Sequence, residues 1–167
     1  MHWLPLLALL VVSAAFAAQQ DPAPEPRAPA IAAKSWLLVD FSSGQRLASH
    51  DPQRRIEPAS LTKLMTAYVV FTALKEKRIR PGQVVPVSEQ AWRAEGSRMF
   101  IEPRKAVTVD ELTRGMIVQS GNDASIALAE LVGGTEEVFV QKMNAEAARL
   151  GMANTRFTNV TGLSHPQ

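Results

Sequence analysis

The chain has 167 residues, 46% of them hydrophobic and 20% charged, which suffices for one packed domain and not for two full ones. Eighteen Lys and Arg against 16 Asp and Glu leave a net charge of +2, so the electrostatic footprint of a nucleic-acid binder is missing. The sequence contains no cysteine, which excludes a disulfide scaffold, a cysteine-ligated metal site and a thiol nucleophile. His50 and His165 are far apart and His2 lies in the leader, so an HExxH zinc site is excluded too.

From Trp3 to Ala18 there is no charged residue and one polar one, Ser13. The run ends in Ala15-Phe16-Ala17, which fits a small-residue cleavage site, and it is short of the ~20 apolar residues of a spanning helix. Residues 1–17 therefore read as a secretory signal peptide, although the n-region lacks Lys and Arg. Residues 18–30 read as a linker, with Pro22, Pro24, Pro26 and Pro29 favouring extended conformations. Domain material is expected over 31–167.

Lys34 to Phe41 is a β-rich run, Ser42-Ser43-Gly44 a turn signal, and Gln45 to Ser49 a second strand, together a β-hairpin. A helix is expected from Glu57-Pro58-Ala59-Ser60 to about Leu74. Its apolar residues cover most of the circumference, which predicts a largely buried helix. The basic run Lys75 to Arg80 suits a helix C-terminus, and Pro81-Gly82 breaks the chain. A short strand at 84–87, a brief helix from Ser88 through Trp92 and a loop over 94–105 follow. Thr108-Val109-Asp110-Glu111 has the capping-box form and opens a helix to about Gln119. Ser120 to Asp123 interrupts it, and a further helix runs from Ala124 to Val132. Thr135 caps the last helix, to Leu150, with Gly151 as its C-terminal cap.

Two short motifs carry candidate chemistry. In Ser60-Leu61-Thr62-Lys63, at a helix start, positions 60 and 63 share a face. A serine hydroxyl becomes a good nucleophile only when a neighbour takes its proton. Lysine can do so when neutral, and both burial and the positive pole of a helix N-terminus favour that form. Free amides of the first turn can bind a developing oxyanion. The second motif, Ser120-Gly121-Asn122, presents a hydroxyl and an amide from a break between helices. Each is weak alone: composition gives about 0.4 chance matches for SxxK and about 0.3 for SxN in a chain of this size.

Context makes them specific. PASLTKLMTAYV around Ser60, LTRGMIVQSGNDASIALAE around Ser120 and NTRFTNVTGL near the end closely resemble the low-molecular-mass penicillin-binding proteins that act as serine D-alanyl-D-alanine carboxypeptidases. The resemblance runs from about Ala30 to the last residue. It implies a β-lactamase/transpeptidase-type α/β (α+β) fold, an antiparallel sheet flanked by helices with a mostly helical subdomain. It also implies roles: Ser60 as nucleophile on the D-Ala-D-Ala bond, Lys63 as proton acceptor, Ser120 in the proton shuttle, and Asn122 positioning substrate and lysine. The implied partners are peptidoglycan stem peptides ending in D-Ala-D-Ala and β-lactams, which acylate the same serine. No cofactor or metal is implied, because serine and lysine supply the acid–base work.

One departure bears on activity. The family's third motif, Lys-Thr/Ser-Gly on a strand beside the serine, occurs nowhere in these residues. The sequence therefore reads as the N-terminal part of such an enzyme, truncated at the C-terminus and without the amphipathic tail that would give inner-membrane association. One lost oxyanion donor costs about 10²–10³ in rate, so this stretch alone is expected to be inactive. Two rivals remain at this level: a non-catalytic fragment with unpaired sheet edges, and a class A-like β-lactamase, which carries Ser-Asp-Asn where Gly121 stands here. Export and substrate class together point to the periplasm or cell envelope.

Overall fold

The computed structural model describes residue 28 and residues 30–164. The expected signal peptide, nearly all of the linker and His165 lie outside the described residues. Among the described residues no helix is long and apolar enough to cross a membrane. The chain divides after Arg54 into two compact units.

The first unit is the expected hairpin. Strand β1 (Trp36–Val39) pairs antiparallel with β2 (Arg46–His50), and a bulge interrupts the register between Leu38 and Val39. The turn is built by Asp40. Its carboxylate accepts from the Ser43 amide at 2.7 Å and hydroxyl at 2.6 Å, and its carbonyl accepts from Gly44 N at 2.9 Å. The Ser43 hydroxyl, then the Ser43 amide, holds this carboxyl below its ordinary pKa. Gly44 takes the left-handed φ of +70° that closes the turn.

The second unit is mostly helical. A single 3-10 turn (Ala59–Leu61) leads into α1 (Thr62–Lys75). Then come β3 (Val84–Val85), α2 (Glu89–Trp92), β4 (Val107–Thr108), α3 (Val109–Val118), α4 (Asn122–Gly133) and α5 (Glu136–Arg149). Strands β3 and β4 pair antiparallel. The sequence shows no strand before α3; a two-residue ladder is too short for a period-2 pattern to register.

Helix ends follow local chemistry. Ser88 accepts from Ala91 N and opens α2. Thr108 and Glu111 form the reciprocal capping box of α3. Thr135 accepts from Val138 N and opens α5. Both long helices close in the same way. Arg78 N bonds to Ala73 O with Lys77 at φ +59°, and Met152 N bonds to Ala147 O with Gly151 at φ +75°.

Helix α4 is the centre of the unit and packs against α1, α2, α3 and α5. Its buried small residues Ala124, Ser125, Ala127 and Ala129 let four neighbours approach. Phe139, Leu112, Met116, Leu128, Met143, Val70 and Val160 fill the core around it. Gly133 is required at the α4–α5 corner, because a Cβ there would sit 2.8 Å from Phe139 N.

Helix α1 is largely buried, as its apolar circumference predicts, but one stripe stays open. Met65, Val69, Val70 and Ala73 are buried, but Leu61, Leu64, Tyr68 and Phe71 form an exposed stripe. The apolar circumference is real. One side of it faces the core, and the spacing cannot say which residues find partners.

Candidate active site

Ser60 and Lys63 sit at the start of α1, on the 3-10 turn and the first α-helical turn. Lys63 Nζ lies 3.4 Å from Ser60 Oγ and donates to Thr161 O at 2.9 Å. The lysine is only 7% exposed, while Ser60 is open to solvent. Among the described residues no carboxylate is within ion-pair distance of Lys63. Burial without a counter-charge pushes its ammonium below the ordinary lysine value. An amine with one N–H fixed on a carbonyl and its lone pair available to a nearby hydroxyl is suited to accept that proton.

The turn departs from an α-helical start. Leu61 N bonds to Pro58 O at 3.1 Å, so that amide is not free for an oxyanion as the sequence reading expected. A 3-10 turn closes one residue earlier than an α turn and uses the amide. Ala59, just before the serine, has φ +47°, a strained value for a residue with a Cβ.

What holds the turn in place is the segment 157–163, which the sequence singles out by resemblance without a role. Thr66 donates to Val160 O at 2.8 Å, one turn beyond the lysine's bond to Thr161 O. Asn159 Oδ1 accepts from the amides of Thr161 (3.1 Å) and Gly162 (2.7 Å), while its Nδ2 donates to Leu163 O. Asn144 brackets Phe157 through both backbone groups, and Glu136 Oε1 accepts from Val160 N. Burial raises the Glu136 pKa above its ordinary value, against the lowering effect of the Val160 amide. Gly162 (φ +82°) lies so close to Ala59 that a Cβ there would fall 1.8 Å from Ala59 O. Gly162→Ala is therefore expected to cost about 1–3 kcal/mol and to displace the serine turn. A thermal melt beside a serine-acylation assay checks this, and an unchanged variant would show that the close approach is dispensable.

Ser120 occupies the break between α3 and α4 with φ +56°. Its Oγ is buried, and it alone among the buried side-chain polar atoms of the described residues has no hydrogen-bond partner. Ser60, Lys63 and Ser120 line one cavity of about 360 Å³, walled by Leu64, Tyr68, Phe71 and Met116. Asn122 does not line it. It is 3% exposed, and its Nδ2 donates to Glu95 O at 2.6 Å while its amide bonds to Ser97 O at 2.7 Å. The side chain thus ties the 95–97 loop to the start of α4. Gly121 is closely packed: a Cβ there would meet Asp123 Oδ1 at 3.0 Å and Gly115 O at 3.2 Å. An aspartate at 121, as in the β-lactamase motif, would begin its side chain against the Asp123 carboxylate.

The chain matches the peptidase S11 family model, D-alanyl-D-alanine carboxypeptidase, over residues 21–167. It is 43% identical over 163 residues to the D-alanyl-D-alanine carboxypeptidase DacC of Escherichia coli, covering 94% of this chain and 40% of that protein. Identity to DacF of Bacillus subtilis is 43% over 132 residues, 79% of this chain and 34% of that one. Among solved structures, DacD from Francisella tularensis superposes with a TM-score of 0.83 at 39% identity, over 90% of this chain and 36% of its own. Penicillin-binding protein 5 from Haemophilus influenzae gives 0.81 at 42% identity, over 84% and 42%. The fold is thus the penicillin-binding type expected from the sequence. The chain spans about 40% of the length of the curated relatives it matches first. With the family model covering the whole of both described units from Ala30 onward, the chain belongs to the D-alanyl-D-alanine carboxypeptidase family of peptidases.

Proposed function

We propose that these residues form the nucleophile half of a serine D-alanyl-D-alanine carboxypeptidase acting on peptidoglycan stem peptides in the bacterial envelope. The observation that carries this is the pairing of an exposed Ser60 with a buried Lys63 that has no carboxylate partner among the described residues and whose Nζ is 3.4 Å away. Neutral Lys63 takes the Ser60 proton as Oγ attacks the carbonyl between the two D-alanines. The tetrahedral intermediate collapses, the C–N bond breaks, and the departing D-alanine amine takes a proton passed on from Lys63 through Ser120. Water then attacks the ester and releases the shortened peptide. Asn122 holds the loop and helix that frame Ser120. A β-lactam enters the same route and stops at the ester. Residues 1–17 act as export signal and 18–30 as a linker.

The test is to incubate the full-length gene product with penicillin and with a D-Ala-D-Ala peptide. A single adduct mapping to Ser60 and release of one D-alanine per peptide are expected. Rapid turnover of the penicillin without peptide hydrolysis would favour a β-lactamase instead.

Ser120→Ala separates chemistry from stability. The Oγ makes no hydrogen bond among the described residues, so its removal is expected to leave the melting temperature close to the parent's. Acylation should fall by about 10²–10⁴, the usual worth of a positioned proton-transfer group. Stopped-flow acylation and a thermal melt read the two effects. A variant acylating at the parental rate removes Ser120 from the shuttle.

A further inference from the structure

A second cavity, of about 710 Å³, is lined by α2 and the 94–105 loop. Its apolar surface comes from Trp92, Phe100 and Ile101, with Trp92 and Phe100 both exposed, at 42% and 71%. Its charge comes from Arg98 and Arg104, and from Glu89 and Glu102. The two carboxylates are already engaged. Arg93 pairs with Glu89 at 2.9 Å and Lys105 with Glu102 at 2.7 Å. Arg98 and Arg104 have no carboxylate partner among the described residues. The cavity therefore offers two uncompensated guanidinium groups beside two aromatic rings.

The loop is built to present this surface. Phe100 has φ +64°, an outlier for a bulky residue, and its side chain points outward, with the Arg98 guanidinium 4.9 Å from its ring centre. The backbone on either side is held by one buried carboxylate. Asp123 accepts from Met99 N at 3.0 Å and from Ile101 N at 3.2 Å. Asp123 follows Asn122, whose own amide bonds to Ser97 O. The strained aromatic is thus fixed to the same helix start that follows Ser120.

We infer that this cavity is a subsite for a carboxylate-bearing stretch of the wall polymer beyond the scissile dipeptide, held by Arg98 and Arg104 with its apolar atoms against Trp92 and Phe100. Guanidinium groups match carboxylates through paired N–H donors, and aromatic walls supply contact area without charge preference. The inference rests on the substrate class proposed above and extends it to the part of the substrate that does not react.

Three substrates distinguish the outcomes in the full-length protein: a short D-Ala-D-Ala peptide blocked upstream, a muropeptide with free upstream carboxylates, and the same muropeptide amidated. Arg98→Ala combined with Arg104→Ala is expected to raise KM for the free-carboxylate substrate about tenfold or more, with kcat unchanged. The short peptide and the amidated muropeptide should keep their KM. The parental preference for the free-carboxylate substrate should weaken as salt rises. An unchanged KM for that substrate in the double variant overturns the subsite, as does an equal KM rise for all three. If the unmodified protein fails to hydrolyse even the short peptide, the carboxypeptidase reading itself fails.

Discussion

In the full-length protein, Ser60→Ala is expected to abolish covalent penicillin labelling and to lower D-alanine release by about 10⁶, the loss typical when a serine nucleophile is removed. The side chain is exposed, and its one hydrogen bond is the long 3.4 Å contact with Lys63. Stability should therefore change by no more than about 0.5 kcal/mol, as for other exposed substitutions. That separation gives the experiment its force. The fold around the site is held by Thr161, Val160 and Gly162 against Ala59, Lys63 and Thr66, none of which needs the Ser60 hydroxyl. Intact-mass spectrometry after incubation with penicillin, beside a thermal melt, reads both quantities. Persistent labelling of the variant would move the nucleophile elsewhere and remove the basis of the proposed mechanism.

Lys63→Ala is expected to slow acylation by about 10²–10⁴ and to flatten its alkaline limb. In the parent the rate should rise with pH to a midpoint below 10.5, because burial lowers the lysine's pKa. Lys63→Arg should not rescue, since a guanidinium stays protonated. The same shift predicts a stability trend. Below the lowered folded pKa, both states carry the proton, and the cost of burying the charge is fully present. Between that pKa and 10.5 the unfolded chain binds more protons, so stability rises with pH. Relative to Lys63→Met, the parent should gain stability across that window and level off above it. Denaturant melts at a series of pH values check this. A parallel dependence in both proteins would mean that Lys63 is not the titrating group.

How much of this was legible beforehand depends on the range of the interaction. The caps at Ser88, Thr108 and Thr135, the stop at Gly151 and the hairpin turn are set by residues within a few positions of one another. Their hydrogen bonds close whenever the local backbone forms, so sequence spacing encodes them. The Ser60–Lys63 pairing belongs to the same class, because three residues on a helix share a face. Asn122 illustrates the opposite case. Its spacing from Ser120 is plain in the sequence, but its amide points to Glu95 O, 27 residues away. The exposed stripe of α1 is also invisible to periodicity, since burial is decided by which neighbours arrive.

By itself, then, the sequence determined the family, the order of helices, their caps and the spacing that brings Lys63 beside Ser60. Only the tertiary structure decided that Lys63 is held by a carbonyl 98 residues away and that Gly162 must lack a Cβ above Ala59. It also decided that Ser120 keeps a hydroxyl with no partner among the described residues, and that Asp123 holds the amides on either side of Phe100. Each of these depends on where a backbone passes. Proline apart, main-chain carbonyls and amides are the same at every residue, so their partners are set by the path of the chain and leave no mark in its side-chain pattern.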